Sequence, residues 1–172
     1  MKELRQLFEV SKEDLPDIYC DMDEVLVDLL KGAEAVLGMP FVDADRIERW
    51  KTISNVKGFW ENLDWMPGAK NLYQFIIRYD AHILSAYSSK DPSSITGKRK
   101  WLRKNASKFK TSKIHIVKRE QKKSFAVTDG KPNVLIDDHP KNIQEWESAG
   151  GIGIHHTNLS KTMNELRKMG FK

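Results

Sequence analysis

Five short apolar runs that alternate with helical periodicity constrain this chain most. Asp17-Ile18-Tyr19-Cys20, Ala81-His82-Ile83-Leu84, Ile114-His115-Ile116-Val117, Asn133-Val134-Leu135-Ile136 and Gly151-Ile152-Gly153-Ile154 read as strands. Between them Leu26, Leu29, Leu30, Ala33 and Leu37 fall at helical spacing, as do Leu72, Phe75, Ile76 and Tyr79. Pro140 at a first turn, Ile143 and Trp146 on one face and Gly150 beyond the end mark another helix, and Leu159 to Met169 a last one. Strands separated by helices predict an α/β fold, a parallel sheet with helices on both faces. The 172 residues fit one domain, with a core of about 14–30 and 69–172.

The interval 31–68 breaks this rhythm. It has no convincing strand but holds Trp50, Phe59, Trp60, Trp65 and Met66, closed by the turn signal Met66-Pro67-Gly68. It reads either as a helical excursion packing its own aromatics or as a small helical cap inserted after the first strand, with some aromatics facing a flat ligand. No run approaches the roughly 20 apolar residues of a membrane span. The start, MKELRQLFEV, lacks a signal peptide's apolar core, so a cytoplasmic protein without membrane partners is expected. The lone Cys20 excludes an internal disulfide and a cysteine-rich zinc module.

Two acidic pairs carry the chemistry. Asp21-Met22-Asp23 follows the first strand, and residues i and i+2 of an extended chain point the same way. Asp137-Asp138 ends the fourth predicted strand. If the two strands are neighbours, four carboxylates converge at the carboxyl ends, where open α/β sheets bind ligands. Their repulsion calls for a divalent cation, and hard oxygen donors suit Mg²⁺ better than zinc. Asp43-Ala44-Asp45 has the same spacing but follows no strand and reads as a helix cap. Asp137-Asp138 also has a plain reading as the N-cap of the helix at Pro140.

Other candidates are ambiguous on their own. Ser85, with Ala86 beside it, either meets a phosphoryl oxygen or starts a polar turn; Lys98 either points inward or lies solvated in a basic stretch. Cys20 reads as a buried hydrophobe, and His155-His156 as structural or surface residues. Gly150-Gly151-Ile152-Gly153 precedes a strand and is no phosphate loop, and no Gly-x-Ser-x-Gly elbow is present.

In this order the segments resemble the motifs of haloacid dehalogenase-like (HAD) phosphatases. Asp21-Met22-Asp23-Glu24-Val25-Leu26 is similar to their first motif, Leu84-Ser85 to the second and Leu135-Ile136-Asp137-Asp138 to the fourth. Gly58-Phe59-Trp60-Glu61-Asn62-Leu63 and Met66-Pro67-Gly68-Ala69 are similar to the cap of the 5′(3′)-deoxyribonucleotidases, and Gly97-Lys98 to the stretch bearing their phosphate-binding lysine. The resemblance spans Ile18 to His156 and implies a HAD-like Rossmannoid sheet. It implies Mg²⁺-dependent hydrolysis of deoxyribonucleoside monophosphates through an aspartyl phosphate. On it, Asp21 is the nucleophile and Asp23 the acid and base. The cation is held by Asp21, the Asp23 backbone carbonyl and Asp138, with Asp137 in support. Ser85 and Lys98, with Lys122 as the alternative lysine, hold the phosphoryl oxygens, next to Ala86. Phe59, Trp60 and Trp65 enclose the base. Glu24 departs from the pattern, standing where that branch has glycine.

Alternatives stay open at this point: another small phosphate ester, a nucleic-acid terminal phosphate, or a silent nucleic-acid-binding module. Nucleic acid is the less favoured partner, and a homodimer is compatible with the sequence. The net charge of +5 is an average. Lys98 to Lys123 carries +11 and the remainder −6, so one cationic segment adjoins the proposed site and suits a phosphate monoester.

Overall fold

The structure is a computed structural model that describes residues 11–172; the reading of MKELRQLFEV lies outside them. In chain order, β1 (Ile18–Cys20) precedes α1 (Leu29–Leu37), α2 (Arg46–Ser54) and α3 (Ala69–Ile76). Next come β2 (His82–Ala86), α4 (Ser93–Asn105) and β3 (Ile114–Val117). A 3-10 stretch, Arg119–Phe125, leads to a hairpin of β4 (Val127–Thr128) and β5 (Lys131–Pro132). The chain then forms β6 (Val134–Asp137), α5 (Pro140–Ser148), β7 (Ile152–His155) and α6 (Leu159–Lys168).

Five strands form one sheet in the order β3-β2-β1-β6-β7, with every pairing parallel. The α/β expectation holds, and each predicted strand lies within two residues of its apolar run. β1 pairs with β2 on one side and β6 on the other, Cys20 opposite Ile83 and Ile136. The two acidic pairs are therefore neighbours.

Side-chain alternation divides the core. Ile18, Cys20, Ile83, Val134, Ile136 and Ile154 belong to a large cluster with residues of α1, α2, α3, α4 and α6. Tyr19, Leu84 and Leu135 face the other way, toward Ala126, Ile143 and Trp146. A period of two thus assigns α5 and the 3-10 stretch to one face and the other helices to the opposite one. Two buried tryptophans pin connections to the layers. Trp101 Nε1 donates to Leu63 O at 2.8 Å and Trp146 Nε1 to Asn133 O at 3.0 Å. Each satisfied bond contributes about 1 kcal/mol net, and an orphaned indole would cost more.

Asp45 caps α2 as expected, its carboxylate accepting from Ile47 N and Glu48 N. The expected capping of α5 by Asp137 or Asp138 is corrected: the cap is His139, whose Nδ1 accepts from Lys141 N. Asp137 instead accepts from His139 N, fixing the residue that caps. Among the described residues, no helix is long and apolar enough to cross a membrane.

Candidate active site

The site grows from the carboxyl end of β1. Asp21 N donates to Ile136 O at 2.9 Å, continuing the ladder with β6 and placing Asp21 beside Asp137. The chain then turns tightly, with Met22 O accepting from Val25, Leu26 and Val27. The turn is tied to the segment after the aromatic 3-10 turn by Asp28 N to Asp64 O and Met66 N to Leu26 O. Glu24 sits within it at φ +58°, a left-handed conformation that ordinarily favours glycine. Its carboxylate compensates: Oε1 accepts from Leu30 N at 2.8 Å, satisfying an orphan donor of the first turn of α1.

Both candidate lysines point inward. Lys98, on α4, is buried and donates to Asp23 Oδ2 at 2.7 Å, Ser85 Oγ at 2.9 Å and Ala86 O at 2.6 Å. Its three N–H groups are thus all engaged. The solvated reading of Lys98 is corrected: Gly97 lets α4 press against the 3-10 turn Trp60–Asn62, where a Cβ at position 97 would lie 2.4 Å from the Trp60 Cβ. Lys122, in the 3-10 stretch, donates to Asp137 Oδ2 at 2.7 Å and lies 3.0 Å from Asp21 Oδ1. Burial alone would lower its pKa, but Asp21 and Asp137 outweigh burial and raise it, so Lys122 is an ammonium.

Asp137 is saturated. Oδ1 accepts from His139 N and Asn142 Nδ2, and Oδ2 from Lys122 and the same amide. Asp21 Oδ1 and Asp23 Oδ1 are buried without a hydrogen bond, the Lys122 contact being an ion pair without donor alignment. Carboxylate oxygens of Asp21, Asp137 and Asp138 lie within 4.8 Å of one another. Burial, then the charges of Asp21 and Asp137, push the Asp138 carboxyl up to about 7. Burial likewise raises Asp23 despite the pull of Lys98, which suits a group that must carry and release a proton. With every group ionised, the four carboxylates outnumber the two ammoniums by two. Orphaned carboxylate oxygens, crowding and residual charge together fit a divalent cation held by Asp21 and Asp138, with Asp137 orienting the site.

Phe59 and Trp60 border a cleft of about 180 Å³ with Ser93, Thr96 and Lys100, but little of either ring is exposed. Trp60 is 4% exposed, stacks on Trp50 with ring centroids 6.2 Å apart, and donates from Nε1 to Asp91 Oδ2 at 2.7 Å. Its face lies 5.3 Å from the Lys98 ammonium, so it backs that lysine. Phe59 is buried against Trp60, and Trp65 packs on Trp101 and Tyr73.

Sequence reasoning missed three supports. Asn142 holds Asp137, the His155 ring meets Asp138 O at 2.9 Å, and Asp91 anchors Trp60. Asn142 is the third residue of α5, directly after the second acidic pair, and that position was its one available signal.

A parallel five-stranded sheet flanked by helices, with paired acids at β1 and β6, a serine at β2 and two inward lysines, defines an α/β protein with a candidate catalytic centre at the carboxyl ends of its strands. The comparisons with known proteins agree. A protein of Vibrio phage KVP40 named "Putative 5'(3')-deoxyribonucleotidase" is 26% identical over 140 residues, covering 81% of this chain and 75% of the phage protein. A crystal structure of a hydrolase from Streptococcus pneumoniae TIGR4 shares the fold at TM-score 0.54 and 13% identity, covering 89% of this chain and 98% of that one. No protein-family model matches.

Proposed function

We propose that this protein is a Mg²⁺-dependent phosphatase that hydrolyses deoxyribonucleoside monophosphates through a phosphoryl group carried on Asp21. One observation carries the reading: a buried carboxylate with an unbonded oxygen ends the central strand, flanked by Asp23, whose burial raises its pKa, and by two buried lysines. Such an oxygen is placed to attack phosphorus, the bond to the sugar oxygen breaking as the new one forms. Asp23 gives the departing oxygen its proton, then takes one from the water that attacks the aspartyl phosphate. A bound Mg²⁺ would supply charge that offsets repulsion between the carboxylates and the substrate dianion.

Saturation of Lys98 divides the work of the lysines. Lys98 fixes Asp23, Ser85 and the Ala86 carbonyl, while Lys122 keeps donor capacity for a phosphoryl oxygen. The Ser85 hydroxyl accepts from Lys98 and keeps its own proton to donate.

A second reading, hydrolysis of another small phosphate ester, is favoured by the burial of Phe59 and Trp60, which removes two base-stacking faces. A phosphate-release screen with Mg²⁺ across deoxynucleotides, sugar phosphates and 3′-phosphorylated oligonucleotides separates the two. The proposal expects dUMP or dTMP to lead; preference for a sugar phosphate would establish the second reading instead.

A further inference from the structure

The structure sorts the cationic segment into three groups. Of its twelve bases, Lys98 and Lys122 are buried in the site. Lys100 pairs with Glu61, Lys110 and Lys113 with Asp80, and Arg119 with Glu145. Lys118 starts the 3-10 stretch and Lys123 lies near enough to Glu145 to stabilise its carboxylate, whereas Arg99, Arg103, Lys104 and Lys108 are exposed and have no ion pair or side-chain hydrogen-bond partner among the described residues. Uncompensated charge of one sign is unfavourable unless a counter-charge completes it. Two of these four, Arg103 and Lys104, complement the dipole at the carboxyl end of α4; that role leaves Arg99 and Lys108 unexplained.

Arg99 and Arg103 also line a groove of about 170 Å³ between the second half of α4, the turn at Thr111–Lys113 and the start of β3. They are one helical turn apart, about 6 Å along the axis. Ser107 and Thr111 add hydroxyls, and Leu102 and Phe109 give the groove an apolar wall. Lys104 and Lys108, also exposed, lie next to Arg103 and Ser107 in the chain. A partly apolar groove bordered by two free guanidiniums has room for a base edge while leaving the flanking phosphates to the cations. We propose that this groove binds single-stranded nucleic acid at a site separate from the acidic centre. A duplex hides its bases, and a mononucleotide would leave the cations beyond the groove without a role.

The test is anisotropy of a 5′-labelled oligothymidylate of about fifteen nucleotides, without terminal phosphates, titrated with the full chain. If Arg99, Arg103, Lys104 and Lys108 each neutralise one phosphate, log K falls with log salt at a slope of about −2.8. Arg99→Ala/Arg103→Ala should weaken binding at least tenfold and halve that slope, and the double lysine variant should restore the slope. Phosphate release from dTMP should be the same in all of them, so this proposal can fail without the phosphatase reading failing. Binding that ignores the double alanine variant, that dTMP displaces completely, or that occurs with phosphatidylserine vesicles and not with the oligonucleotide would overturn it.

Discussion

Asp138 and Glu24 show how single residues at this site exchange stability for chemistry. Asp138 titrates near 7 when folded because burial and the charges of Asp21 and Asp137 oppose its ionisation. Its ordinary value is near 3.8. Between these values the folded protein binds more protons than the unfolded chain, so without a cation this group costs stability as pH rises from about 4 to 7. Asp138→Asn should therefore raise the Tm of metal-free protein at pH 8 by at least about 2 °C, the response to roughly 1 kcal/mol in a chain of this size. The same change should abolish the Tm gain that Mg²⁺ confers on the wild type. Thermal melts with and without Mg²⁺ check both; an unchanged Mg²⁺ response would remove Asp138 from the cation site. Glu24 makes the opposite exchange, a strained φ for a bond to Leu30 N. Glu24→Ala keeps the strain and loses the bond, and should cost about 1–2 kcal/mol. Glu24→Gly relieves the strain and should cost less, and Glu24→Gln least of all. Urea titrations give the order, and alanine matching glutamine would refute the capping role.

At the scale of elements, α4 links the site to the segment carrying the aromatic residues. Its inward residues include Ser94, Lys98, Trp101 and Leu102, a mixture whose two polar members hide the helical period. For that reason α4 was the least legible helix in the sequence, although it supplies Lys98. The strands were legible because each is a short, mostly apolar run, and the central β1 and β6 are buried throughout as parallel strands are. Asp21, Asp23, Asp137 and Asp138 followed from those strand ends. The hydrogen bonds of Asn142 and His155 did not, because one polar residue on a helix or strand leaves no local pattern and its partner is set by packing. Gly97 fixes how closely α4 approaches Trp60. Gly97→Ala should destabilise the fold by about 1–3 kcal/mol through overpacking. By displacing α4 it should also lower kcat more than it raises KM, since Lys98 positions Asp23 and Ser85. A Tm loss with unchanged kcat would show that Lys98 does not depend on that contact.

Across the whole molecule, the fold places opposite charges in separate territories. The acidic centre occupies the carboxyl ends of β1 and β6, and its two buried lysines come from the cationic segment that flanks the sheet edge at β3. The net charge of +5 describes neither territory. The long connection from β3 to β6 brings Lys122 to Asp21, so the ends of the cationic segment complete the acidic site while most of the charged side chains between them are exposed. Sequence spacing showed that both lysines lay at those ends; only the topology shows that both enter one centre.

The central claim is that Asp21 carries the phosphoryl group. Because Asp23 serves both steps, the adduct is sought in the wild-type protein during turnover of dTMP in Mg²⁺. Acid quenching followed by peptide mass spectrometry should then find one phosphoryl group on Asp21, and none in Asp21→Asn, which should release no phosphate. Phosphate release by Asp21→Asn at the wild-type rate, or an adduct on any other residue, would contradict the account.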